Sequence, residues 1–299
     1  MPASNKHHRS GRSIVTRIAA VLALIIVVGA VVLLAKSLGS KSSPKPVAGP
    51  VVVRVLIPEG KTRAQIAEIA KASGLTGSYR LASRRSPLLN PVHYGAAAGT
   101  PDLEGFLFPA TYELDAGAPA ARLVEEQLVA FKEHFGAVEF ARAHALGVTP
   151  YELLTVASMV EREAVVPGDR PKIAAVIYNR LKAGIPLGID ASIYYAVELR
   201  DGIATYTGEL TEADLHIDSP YNTRTHTGLP PTPISNPGEA SIHAAAYPSQ
   251  VSYLYYVAGA DGCGEQVFSN TQAEFEVNVA AYKAAVAKNG GRPPACRHK

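Results

Sequence analysis

The sequence predicts an α+β protein with a single N-terminal transmembrane helix, a small αβ subdomain and a larger, mostly helical domain carrying a small β-sheet. Three observations lead there. An uncharged apolar run near the N-terminus is long enough to cross a bilayer. Amphipathic or fully apolar helical patterns fill much of residues 118–287, and short β-branched or aromatic runs stand near residue 51 and in 253–269. With 299 residues, 47% of them apolar and 18% charged, the chain suits a packed body rather than a disordered one.

Residues 1–17 form a basic tail, expected on the cytoplasmic side. Ile18–Ala35 is a stretch of 18 residues without a charge. As a helix it spans roughly 27 Å, close to the ~30 Å hydrocarbon core. The competing reading is a cleaved signal peptide, whose apolar region is usually ~7–15 residues and ends in a small-x-small site. This run ends Leu33-Leu34-Ala35-Lys36-Ser37 without such a site, so a retained single-pass anchor is expected, with the body outside the cytoplasm. No Asp or Glu precedes Glu59, so the basic bias behind the net charge of +3 belongs to the tail and the remainder is slightly acidic. That argues against nucleic acid as a partner, which would need its positive charge on the folded surface.

Residues 36–50, rich in Ser, Gly, Pro and Lys, read as a flexible linker. Val51–Ile57 alternates like a strand, Pro58-Glu59-Gly60 makes a turn, and Thr62–Ser73 has helical spacing through Ile66, Ile69 and Ala70. These give residues 51–100 a LysM-like character, although no second strand is legible in 77–91. Residues 101–288 form the larger domain, and 289–299 are a polar tail. Ala118–Phe135 is an amphipathic helix with Leu123, Leu128, Phe131 and Phe135 near one face. Thr149-Pro150 starts the next, through Glu163, with Thr as N-cap and Pro in the first turn. A helix over 169–183 follows the Pro167-Gly168 break, and Asp190 is expected to cap another through Val197. Tyr253–Ala258 and Val267–Ser269 read as strands, and Thr271–Ala287 as the last helix. Cys263 and Cys296 form either a disulfide pinning the tail or two free surface thiols.

The chemistry concentrates at the end of the second of these helices. Leu153–Val160 is apolar nearly all round, so the helix should be buried, and Glu161 and Glu163 stand at its end. Carboxylates there are costly unless paired or employed. Burial raises a carboxyl's pKa, which is how a general acid is kept protonated; the alternative is a structural ion pair with Arg162, Arg170 or Arg180. Two residues apart on a helix, Glu161 and Glu163 point about 200° from each other. They do not form the cooperating pair of an ordinary glycosidase, so one of them acting alone fits better.

The chain resembles the YceG-like endolytic murein transglycosylase family (MltG) from about Val51 to Tyr282. The stretches that carry the resemblance are Leu103-Glu104-Gly105-Phe106-Leu107-Phe108-Pro109, Ala157-Ser158-Met159-Val160-Glu161-Arg162-Glu163 and Val176-Ile177-Tyr178-Asn179-Arg180-Leu181. They continue with Ser219-Pro220-Tyr221-Asn222-Thr223, Gly228-Leu229-Pro230-Pro231-Thr232-Pro233-Ile234-Ser235-Asn236-Pro237-Gly238 and Tyr253-Leu254-Tyr255-Tyr256-Val257, in that order. The resemblance implies endolytic cleavage of the β-1,4 bond between MurNAc and GlcNAc, in nascent peptidoglycan strands, with Glu161 at the position of the family's catalytic Glu. It implies a 1,6-anhydro product, a role in ending glycan polymerisation, and contact with peptidoglycan synthases. No cofactor and no metal are called for. Ala110 and Gly188-Ile189-Asp190-Ala191 depart from the family's pattern.

Expected substrate contacts are Asp190, Tyr221, Asn222, Asn236 and Glu104, each with a plainer alternative. Tyr221, Asn222 and Asn236 sit in Pro/Gly-rich loops, where they either meet sugar hydroxyl and acetamido groups or stabilise the loops as Asx turns. Glu104 either lines the cleft or fixes the Phe106–Phe108 hairpin, and Asp190 is either a helix cap or a contact. His216, His226 and His243 match no compact ligand spacing. Two other readings remain. A muramidase would need a second carboxylate facing Glu161, with Asp190 or Glu104 as candidates, and a non-catalytic peptidoglycan-binding scaffold would not need Glu161 at all.

Overall fold

The computed structural model describes residues 11–39, 51–203 and 210–296. The basic tail up to residue 10, the linker over 40–50 and the last three residues lie outside them. The chain divides into two compact units at residue 49. The first holds one helix, α1 (Gly11–Gly39), whose described side chains from Arg17 to Ser37 are all exposed and which is long and apolar enough to cross a membrane.

The second unit begins with β1 (Val52–Leu56) and α2 (Arg63–Ala72), the strand–turn–helix expected there. Thr62 caps α2 reciprocally with Gln65, so the helix begins where the Thr-x-x-Gln pattern dictates. A short α3 (Tyr79–Ala82) and a 3-10 turn over Pro91–Tyr94 follow. The partner of β1 is β2 (Thr111–Asp115), antiparallel, with Val52 opposite Asp115 and Leu56 opposite Thr111. A strand with its partner about 55 residues away leaves no local hairpin signal, which is why 77–91 showed none. The α3 segment and the Phe106–Phe108 segment are turns and short helix, not strands; no hairpin forms at 106–108.

The helical body continues through α4 (Ala120–His134), α5 (Ala137–Leu146), α6 (Pro150–Glu163), α7 (Arg170–Ala183), α8 (Asp190–Asp201), the four-residue α9 (Glu212–Leu215) and α10 (Glu239–Ala246). Helix α6 is central: every side chain in 153–160 is buried, and α5, α7, α8 and α10 pack around it. Thr149 accepts from the Glu152 amide at 3.1 Å while Glu152 accepts from the Thr149 amide at 2.7 Å, fixing the start of α6. Beneath it Phe106, Phe131, Phe135, Tyr94, Phe140 and Tyr151 stack with ring centroids 5.0–6.0 Å apart. Antiparallel β3 (Tyr255–Ala258) and β4 (Gln266–Ser269) and the exposed α11 (Gln272–Lys288) complete the unit. Cys263 and Cys296 form a disulfide, settling the choice between bridge and free thiols.

Candidate active site

Glu161 closes the last turn of α6, and the loop over 232–238 is fastened alongside it. Ser158, buried one turn earlier, accepts the Ile234 amide at 3.0 Å, and Ser235 donates to the Ser158 carbonyl at 3.1 Å. The loop then delivers Gly238, the N-cap of α10, whose amide donates to Glu161 Oε2 at 3.1 Å. A helix N-terminus carries partial positive charge and favours an anion there. Glu161 is half-buried, with Oε2 held by that amide.

Glu163 points elsewhere, as the helical spacing requires. It accepts from Tyr256 Oη at 3.1 Å, and burial, reinforced by the charge of Asp190, pushes its pKa up. Asp190 itself is the first residue of α8, whose N-cap is Ile189, so the expected capping role is corrected. Its carboxylate pairs with Arg224, at 2.6 Å from Nη2 and 2.9 Å from Nε, on a half-exposed surface. Thr223 fixes the approach to α8 by accepting the Ile189 amide at 2.9 Å.

The other expected contacts separate by burial. Tyr221 is half-buried, its hydroxyl 2.9 Å from Thr232 Oγ1 and its ring edge-on to Tyr195 at 5.0 Å. Asn222 is fully buried, donating to the carbonyls of Leu215 and Ile217 at 3.1 and 3.0 Å. Asn236 is fully buried too: its Oδ1 accepts the amides of Gly105 and Leu107, both at 2.9 Å, and its Nδ2 donates to Lys61 O at 2.9 Å and Glu104 Oε1 at 2.7 Å. Glu104 also accepts the Arg63 amide and, at 3.2 Å, Tyr195 Oη. Burial and the charge of Asp102 push its pKa up to about 8. Gly105 adopts a φ of +90°, and a Cβ there would lie 2.5 Å from Pro233 Cγ, so the close approach of the 103–108 turn to the loop at this point needs a glycine.

Arg180, expected as a possible ion-pair partner of the α6 carboxylates, instead donates to Leu254 O, Pro186 O and Leu187 O, and Asn179 donates to Val251 O and Tyr253 O, tying α7 to the approaches of β3 and α8. Glu59, in the turn after β1, lies against the same Gly238 that binds Glu161. No local pattern marks it, because the contact crosses some 180 residues of chain. Among the described residues no cluster of three His, Cys, Asp or Glu is disposed to hold a metal.

Comparison with known proteins bears on this geometry. The profile of the YceG-like family matches residues 34–281. The endolytic murein transglycosylase of Bacillus subtilis (strain 168) is 40% identical over 189 residues, 62% of this chain and 49% of that protein. The endolytic murein transglycosylase of Streptococcus pneumoniae (strain ATCC BAA-255 / R6) is 31% identical over 251 residues, 78% of this chain and 45% of that protein. The chain thus spans about half the length of the curated relatives it matches. A 2.6 Å crystal structure of a yceG-like protein from Listeria monocytogenes superposes with a TM-score of 0.64 at 31% identity, covering 75% of each chain.

Proposed function

The chain belongs to the YceG-like family, and on that premise we propose that it is a membrane-anchored endolytic murein lytic transglycosylase whose catalytic acid is Glu161. The observation that carries the reading is the setting of Glu161. Its carboxyl is half-buried at the end of a buried helix and is oriented by a backbone amide, the Gly238 N–H, and among the described residues no salt bridge neutralises it. Protonated, it delivers its proton to the bridging oxygen as the bond from MurNAc C1 breaks and GlcNAc leaves with a free hydroxyl. As carboxylate, steadied by the Gly238 amide, it takes the proton of the MurNAc 6-hydroxyl while that oxygen bonds to C1. The product is a 1,6-anhydro sugar, and no water is consumed. General acid–base steps of this kind contribute about 10²–10⁴-fold each.

Asp190 and Tyr221 keep polar groups at or near the surface and are the proposed sugar contacts. Glu104, Asn222 and Asn236 enter as supports, since their hydrogen bonds are made inside the protein. Neither carboxylate expected to assist hydrolysis is disposed for it: Glu104 is buried in its own network, and Asp190 pairs with Arg224 and bears electrostatically on Glu163. Helix α1 is proposed as the single-pass anchor, N-terminus cytoplasmic. The Cys263–Cys296 bridge supports an oxidising compartment for the body. A juxtamembrane enzyme of this kind would cut strands near their synthesis, ending polymerisation beside the synthases.

The test is mass spectrometry of muropeptides released by the full-length protein in detergent, with Glu161→Gln alongside. Anhydro products that vanish in the variant are expected. Reducing ends would identify a hydrolase. Equal products from both would remove Glu161 from the mechanism.

A further inference from the structure

Residues 69–101 contain no Asp or Glu, the longest such stretch of a body whose remainder is acidic, and they carry Lys71, Arg80, Arg84 and Arg85. The segment 80–92 gathers three of these cations with apolar side chains turned out to solvent: Leu81, Leu88 and Val92 are 69%, 41% and 47% exposed. Its shape is fixed from within. Leu89 is buried as its root and forms a β-bridge with Ser86, whose Oγ accepts the Leu88 amide at 3.2 Å; Asn90 Oδ1 accepts the Val92 amide at 3.1 Å. Lys132 of α4 adds a fourth cation, its Nζ 3.5 Å from Leu88 O. Arg84, Arg85, Asn90 and Val92 line one cavity of about 560 Å³. The carboxylate that also lines it, Asp102, is paired with Arg63, which donates as well to Arg80 O at 2.8 Å and Ser83 Oγ at 3.0 Å. Among the described residues none of Arg80, Arg84, Arg85 and Lys132 is in an ion pair, and all four are exposed.

We propose that the 80–92 surface docks the body on the bilayer, its cations against anionic lipid phosphates and Leu81, Leu88 and Val92 among the headgroups. The role rests on the reading of α1 as the membrane anchor. Two observations choose a bilayer as the partner. The eleven residues 40–50 between α1 and the body reach at most about 40 Å, which keeps an anchored body near lipid at a high effective concentration. Unpaired cations interleaved with exposed apolar side chains suit an interface with anionic headgroups over hydrocarbon, whereas a soluble polyanion would leave the apolar groups in water. Charge elsewhere works in the same sense. The remainder of the body is acidic and is repelled by an anionic surface, so the 80–92 segment is the face favoured toward lipid. Each Lys or Arg held near such a surface favours docking about fivefold. Tethering alone limits the distance of the body from the membrane; docking fixes its orientation.

The experiment is hydrogen–deuterium exchange of the full-length protein in nanodiscs of phosphatidylcholine alone and of an equimolar mixture with phosphatidylglycerol. Peptides covering 80–92 are expected to exchange at least about fivefold more slowly in the anionic discs, with the peptide over α8 unchanged. The double variant Arg84→Ala/Arg85→Ala should return exchange to the rate in phosphatidylcholine, and so should Leu81→Ser/Leu88→Ser. All four side chains are exposed, so the melting transition should not shift. Equal exchange of the parent in both discs overturns the proposal. So does protection that survives Leu81→Ser/Leu88→Ser, or that polyphosphate reproduces in phosphatidylcholine discs, because the surface would then bind anions without a bilayer. If alkaline carbonate strips the protein from vesicles of the same lipids, the anchor reading fails, and the exchange difference between the two lipid compositions still decides the docking.

Discussion

Two carboxylates flank the same loop and are treated in opposite ways. Glu104 meets the loop at the Asn236 side chain, fully buried, with hydrogen bonds from Asn236, Tyr195 and the Arg63 amide. Glu161 meets it two residues later at the Gly238 amide and is only half-buried. A carboxyl whose hydrogen bonds are all made inside the protein organises its neighbours, whereas one that is aimed but not enclosed can pass a proton to a ligand. The largest expected effect follows. Glu161→Gln should lower the rate of glycan cleavage by at least about 10²-fold while shifting unfolding free energy by no more than about 0.5 kcal/mol. Rates by product quantification and stability by urea denaturation check both halves, and a variant that unfolds instead would put Glu161 on the structural side of the comparison.

The opposite profile is expected on the Glu104 side. Asn236→Ala strands the buried amides of Gly105 and Leu107 and removes a donor from Glu104, so about 3–5 kcal/mol of stability should be lost in urea titrations. A loss under about 1 kcal/mol would mean that this network is not what holds the loop. Glu104 also makes stability depend on pH. Its pKa is raised from 4.5 to about 8 in the folded state. Between those values the folded chain holds a proton that the unfolded chain has released. The stabilisation is therefore complete below about 4.5 and disappears as pH rises through about 8, with a slope approaching ~1.4 kcal/mol per unit in between. Glu104→Gln should flatten that slope, while Glu161→Gln should leave it in place.

What the sequence made legible follows the range of the physics involved. Helices α2, α4, α6, α7 and α11 show in apolar spacing and caps because both are local: Thr62, Thr149 and Thr271 each start a helix with a Gln or Glu three residues on. Helices α5 and α10 escaped notice because they are short and rich in Ala, giving no clear stripe. Strand β2 was hidden because its pairing is settled by β1, far away in the chain. The same division runs through the site. Glu161 stood out because a charge at the end of an apolar helix is a local anomaly. The burial of Asn222 and Asn236 could not be read from their loops, since an Asx residue facing a groove and one facing the core have the same neighbours in sequence. Glu59 carried no mark at all, its place being created by the hydrogen bond from the Gly60 amide to Asn236 O.

Glu163 supplies the smallest effect and the sharpest control. It shares the end of α6 with Glu161 but faces Tyr256 and the start of α8, and burial already favours its neutral form. A glutamine there is close in shape to that neutral carboxyl and still offers Tyr256 an acceptor, so Glu163→Gln should change stability by less than about 1 kcal/mol. Because its carboxyl points about 200° from Glu161 on the helix, cleavage should fall by no more than about threefold. Parallel rate measurements on Glu161→Gln and Glu163→Gln weigh the two directions in which α6 projects a carboxyl. If Glu163→Gln were the inactive variant, the proton would have to travel on the Tyr256 side of the helix, with Asp190 as its neighbour, and the Gly238 amide would be left with only a structural role.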